Sequence, residues 1–140
     1  MRLGVGLATV VVAVALTLAL RPVPSEATGV VDGPVVAVSS SGAAYPMALV
    51  QGNLNLRGDC MMLGNAVVFW PAGTSWDDES RSVVFSGDFD GAAPVGSHFV
   101  GSGGVYTSDD DFLRGLGAAG DVLRDCVVAT GARNLTLAYP

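Results

Sequence analysis

The sequence predicts a mainly β domain, a small antiparallel barrel or roll with one short helical insert before its last strand. Three observations carry this. From Val50 to Arg57, apolar or small residues alternate with polar ones, the period of a strand with one buried face. Short apolar runs then recur between clusters of Gly, Pro, Asn and Asp, as turns do in an all-β fold. Near the end, Phe112, Leu116, Ala119, Leu123 and Cys126 recur at spacings of four and three, the apolar stripe of a helix.

The first segment is not part of that fold. Met1-Arg2 precedes an apolar or small run over residues 3–20, followed by Arg21-Pro22-Val23-Pro24-Ser25-Glu26-Ala27. A short positive end, a greasy core and small residues before a cut form a secretory signal over residues 1–27. The run is also long enough to read as an uncleaved anchor over residues 3–20. Either way the remainder is exported, to the medium or to the cell-envelope exterior. No Cys lies near the cut, so nothing supports a lipid-attached form. Residues 28–45 are rich in small residues and hold the tract Ser39-Ser40-Ser41-Gly42. They read as a flexible linker or arm, with Val35–Val38 able to form a short strand that docks.

The domain proper then spans 46–140. The alternating strand from Met47 carries Gly52, which suggests a bend where a sheet curls into a barrel. Gly58-Asp59 breaks the pattern, Cys60 to Leu63 resumes it, and Gly64-Asn65 turns the chain. Ala66 to Trp70 is an apolar strand ended by Pro71-Ala72-Gly73. Thr74 to Ser80 reads as a polar loop and Ser82 to Ser86 as the next strand. Gly87-Asp88-Phe89-Asp90-Gly91 is a turn cluster. Val95 to Tyr106 is a strand interrupted at Gly101-Ser102-Gly103-Gly104, where a bulge or sharp bend is expected. Ser108 suits an N-cap, and Asp109-Asp110-Asp111 suits the positive end of the helix that follows. Gly115, Gly117 and Gly120 make two short helices as reasonable as one. Leu135 to Tyr139 closes the domain. An OB-type barrel is the nearest common architecture, though that fold carries its helix between the third and fourth strands.

Charge narrows the partners. The chain has no Lys, and its net charge is −6. Past residue 27 five Arg face twelve acids, so the exported part stands at −7. An acidic surface repels phosphate backbones, which excludes nucleic acid as a partner. The same sign disfavours anionic lipid, leaving no membrane role beyond the N-terminal anchor. Two cysteines, Cys60 and Cys126, are present. In an oxidising compartment their default is a disulfide; a metal pair and a reactive thiol are the alternatives.

Gly58-Asp59-Cys60, Trp70-Pro71-Ala72-Gly73-Thr74, Gly101 to Tyr106 and the late Cys126 before a final strand form a recurring skeleton. From Ala48 to Tyr139 it resembles a group of small exported actinobacterial proteins of unknown function. The resemblance implies a secreted β domain with a bridge between the two cysteines. It implies no substrate and no catalytic residue.

The candidate chemistry is sparse. His98 is the single histidine, and no Ser sits in a Gly-x-Ser-x-Gly turn, so no nucleophilic triad is marked. Asp88-x-Asp90-Gly91 resembles the start of a calcium loop, but Ala92 and Ser97 stand where further ligands belong. Gly101–Gly104 lacks the Lys and the spacing of a phosphate loop. No catalytic residue, metal site or cofactor is assigned. Trp70 ends an apolar strand and reads as core. Trp76, in a polar segment beside Asp77-Asp78-Glu79, reads as a contact residue. Trp76, Asp77 and Asp78 are therefore the expected ligand-binding residues. The expectation is a non-enzymatic exported domain, structural or binding a protein, glycan or small ligand at the barrel-end loops. The alternative is a small secreted hydrolase using His98 with a nearby carboxylate.

Overall fold

A computed structural model of the chain describes residues 28–39, 45–108 and 110–140. The signal or anchor expected over residues 1–27 lies outside the described residues, as does Asp109 beside the expected helix cap.

The arm expected over residues 28–45 is structured from Thr28 to Ser39. Strands β1 (Thr28–Asp32) and β2 (Val35–Ser39) form an antiparallel hairpin. Val35, Val36, Ala37 and Val38 are all buried. An unbroken apolar run is what a strand covered on both faces requires, so these residues fold into the domain rather than tethering it.

Five strands close the barrel: β3 (Ala48–Arg57), β4 (Cys60–Leu63), β5 (Ala66–Pro71), β9 (His98–Thr107) and β10 (Asn134–Tyr139). Strand β3 is long enough to serve two neighbours. Ala48 to Asn53 pair with β9, and Leu54 to Arg57 pair with β4. Strand β4 continues to β5, β5 runs parallel to β10, and β10 returns antiparallel to β9. This is the strand order of an OB-type barrel. The alternation along β3 appears as expected, with Val50 and Leu54 buried and Gln51, Asn53 and Arg57 exposed. The outer edge of β5 changes partner along its length. It meets β4 at Ala66 and Val67 and β2 at Trp70 and Pro71.

The connection between the third and fourth barrel strands carries a small antiparallel sheet: β6 (Ser75–Asp77), β7 (Ser82–Val84) and β8 (Ala92–Pro94). Ser75–Asp77, within a segment whose sequence reads as loop, is a strand. Its three residues are too few to show a period, and pairing with β7 makes them a strand. The helices stand between the fourth and fifth strands instead, as α1 (Asp110–Gly115) and α2 (Ala118–Thr130). They are two because Gly117 takes a left-handed φ of 61° between them. Gly131, at φ 69°, ends α2 with its N–H on the Val127 carbonyl.

No bulge interrupts β9. Its register runs without a break from Asn53↔His98 to Ala48↔Gly103, and from Tyr139↔Ser102 to Asn134↔Thr107. The glycines serve a close backbone approach. A Cβ on Gly103 would lie 1.7 Å from the Leu137 carbonyl oxygen, so no side chain fits there.

Two cores result. Inside the barrel and beneath the small sheet lie Val50, Leu54, Trp70, Val83, Phe85 and Phe99. Trp70 is fully buried, with Phe85 and Phe99 rings at 5.5 and 5.6 Å. Outside the barrel, Val36, Val67, Phe69, Leu135 and Leu137 meet Leu113, Leu116, Leu123 and Cys126 of the helices. Thr74 is buried and donates its hydroxyl to the Pro71 carbonyl at 2.8 Å. The Trp70–Thr74 block is thus a core residue followed by a self-bonded turn.

Candidate functional site

Four segments converge on one groove of about 920 Å³. The first is the β1–β2 turn, with Asp32, Gly33 and Pro34. The second is the β3–β4 turn, with Arg57, Asp59 and Cys60. Trp76 and Asp78 come from the β6 hairpin. Val122, Asp125, Cys126 and Ala129 come from one side of α2.

Each wall follows from local sequence. Gly58, at φ 60°, allows the two-residue turn that presents Arg57 and Asp59. On α2, positions 122, 125, 126 and 129 recur at three and four, so they lie along one helix face. Cys60 begins β4 and bonds to Cys126 of that face, with a Cα–Cα distance of 5.5 Å. This disulfide ties two of the walls together. It was the default pairing for two cysteines in an exported chain.

Trp76 is half-buried. Its indole lies against the backbone of Gly33, where a Cβ would stand 2.8 Å from Cδ1. Its backbone N–H donates to Asp32 Oδ2 at 2.9 Å, and its Nε1–H donates to Asp78 Oδ1 at 3.3 Å. The backbone and the five-membered part of the ring are held in place, and the residue still lines the groove. Neither the Asp59 nor the Asp125 carboxylate makes a hydrogen bond or an ion pair among the described residues. The site therefore combines an apolar floor, a fixed indole, four carboxylates and one guanidinium. Such a surface suits binding, and its carboxylates favour positive charge.

Of the three expected ligand-binding residues, the structure brings Trp76 and Asp78 into the groove. Asp77 is elsewhere: its carboxylate accepts from Ser80 Oγ at 2.5 Å and from the Glu79 N–H at 3.2 Å. The Ser80 hydroxyl is the largest influence and holds its carboxyl below the usual range; burial opposes it, and the backbone N–H groups of Glu79 and Ser80 add smaller lowering effects. Asp77 stabilises the hairpin turn. The residues that sequence reasoning missed are those of the β1–β2 turn, the β3–β4 turn and α2. A signal for β1 was present in the buried-strand run Val35–Val38, which fixes the turn before it. No pattern marked Asp125 or Val122.

His98 lies beside a separate groove of about 400 Å³ with Asp90 and Phe99. Its Nδ1 meets Asn53 Oδ1 at 3.1 Å across the β3–β9 pair. No carboxylate hydrogen-bonds to it among the described residues. No group of three or more His, Cys, Asp or Glu is gathered for a metal among them. No helix among them is long and apolar enough to cross a membrane.

Neither a family model, nor a curated protein, nor a solved structure matches this chain.

Proposed function

We propose that this chain is an exported, non-enzymatic binding domain whose ligand seats in the Trp76 groove. One observation carries the reading: Trp76, with its backbone N–H on Asp32 and its half-buried indole against Gly33 and Asp78, lines an open groove with apolar surface. Aromatic residues held rigidly in this way dominate binding surfaces, because little side-chain entropy is lost on contact. Export is supported by the signal-like residues 1–27, by the disulfide, and by the likeness to exported actinobacterial domains. The groove suits a protein segment, a glycan or a small ligand. The hydrolase alternative has less support, since the histidine's partner is the Asn53 amide and not a carboxylate.

The test is a titration followed by tryptophan fluorescence. Trp70 is buried and supplies a constant background. Cell-envelope glycans and short peptides are added to the exported protein and to Trp76→Ala. A response in the parent that disappears in a variant of near-parental melting temperature supports the reading. A response unchanged in the variant overturns it, as does ester or glycoside turnover abolished by His98→Ala. N-terminal sequencing of protein recovered from the medium is expected to start near Thr28.

A further inference from the structure

Resting on that reading of the groove, we propose that its occupant is a basic peptide segment. A lysine or arginine side chain lies against Trp76, and its charge is met by Asp59 and Asp125.

The argument starts from charge. The groove wall carries Asp32, Asp59, Asp78 and Asp125 against Arg57 alone. Asp32 and Asp78 are engaged in holding Trp76. The Asp59 and Asp125 carboxylates are not engaged, and they belong to two walls that the disulfide joins, each next in sequence to one of the bridged cysteines. Both are exposed and hydrated, so a neutral ligand gains nothing from them, whereas an ammonium or guanidinium beside them gains charge-assisted hydrogen bonds. Shape agrees with charge. Lysine and arginine have an apolar stem and a charged head. Val122, Ala129 and the disulfide offer apolar surface for the stem, and the indole face attracts the head as well. A volume of about 920 Å³ exceeds one side chain and accommodates a short segment. A second copy of this chain is a poor occupant, because it has no Lys and is itself acidic.

Calorimetry of the oxidised exported protein tests this, with three probes: acetyl-tetra-arginine amide, its uncharged citrulline counterpart, and spermine. The arginine peptide is expected to bind, with the citrulline peptide and spermine each weaker by roughly tenfold. Binding of the arginine peptide is expected to weaken as salt is raised through the physiological range. The pair Asp59→Asn and Asp125→Asn is expected to weaken it by about tenfold. Arg57→Gln is expected to tighten it, an effect no merely structural change would give. Equal affinity for the two peptides, or weaker arginine-peptide binding in Arg57→Gln, overturns the cationic occupant. Spermine binding as tight as the peptide overturns the peptide. If an uncharged ligand binds in a Trp76-dependent way while the arginine peptide does not, this inference falls and the binding function stands. If Trp76→Ala leaves all binding unchanged, both fall.

Discussion

The indole of Trp76 rests on the backbone of Gly33, forty-three positions earlier, so closely that a Cβ there would lie 2.8 Å from the ring. Gly33 also holds a φ of 55° in the β1–β2 turn. Two demands therefore meet at one residue: a left-handed turn and a bare surface for the ring. The N-terminal hairpin thereby forms part of the groove's support, since Asp32 in the same turn accepts the Trp76 N–H.

Gly33→Ala is expected to cost about 2 kcal/mol, from backbone strain and the displaced ring together. Gly64→Ala is the control. Its φ is 60°, and nothing lies within 4 Å of the added carbon, so strain alone of about 1 kcal/mol is expected. Urea unfolding measures both. Only Gly33→Ala should shift the tryptophan emission of the folded state.

Trp70 separates packing from hydrogen bonding. It is fully buried, and its indole N–H has no hydrogen-bond partner among the described residues. Trp70→Ala is expected to cost about 4 kcal/mol through the cavity it leaves. Trp70→Phe keeps most of the ring and forfeits no polar partner, so a loss of about 1–2 kcal/mol is expected. A Phe variant as unstable as the Ala variant would show that the indole N–H is bonded after all.

Replacing both cysteines by serine is expected to lower stability by about 4 kcal/mol, from the unfolded-state freedom regained by a loop of 66 residues. The groove is expected to lose ligand response at temperatures where the variant is still folded, because α2 and the β3–β4 turn are no longer tied. Near-parental stability in denaturant would contradict the assignment.

Asp77 sets an acid dependence. Its carboxyl is depressed in the folded chain, chiefly by the Ser80 hydroxyl. A depressed folded value means that its contribution is present above the unfolded carboxyl range and is lost as pH falls through the folded value. Ser80→Ala should move the Asp77 titration upward, towards that of a free aspartate, as followed by carboxyl NMR. At neutral pH the variant should lose the hairpin hydrogen bond, while ligand binding is unaffected. An unmoved titration would show that the backbone donors alone depress it.

What could be read in the sequence divides along physical lines. Strands with one wet face, such as Val50 to Arg57, declare themselves by alternation. The neighbours of the two tryptophans indicate their burial: Trp70 ends an apolar run and is buried, and Trp76 stands beside three acids and is half-exposed. Strand β2 was harder, because a strand buried on both faces has no period and Val35–Val38 sits beside a serine tract. Strand β6 depends on β7 rather than on any signal of its own. At β9 the same glycines fit either a bulge or a close approach, and only the Leu137 carbonyl beside Gly103 decides between them. In the site, Trp76 and Asp78 were legible as a local cluster. Asp32, Asp59 and Asp125 lie far apart in sequence and meet only through topology.

The bridge and the barrel seam enclose nearly the same stretch of chain. Cys60 joins Cys126, and Val67 pairs with Leu135 where β5 meets β10. Once the sulfurs are joined, the seam is separated by only seven residues on one side and nine on the other. By the logarithmic law of loop closure, that shortening lowers the entropic cost of aligning β5 and β10 by about 1.3 kcal/mol, close to tenfold in rate if alignment limits folding. Oxidation thus sets the tempo of closure as well as its permanence. A chain that reaches an oxidising compartment unfolded gains its fastest route to the barrel on arrival.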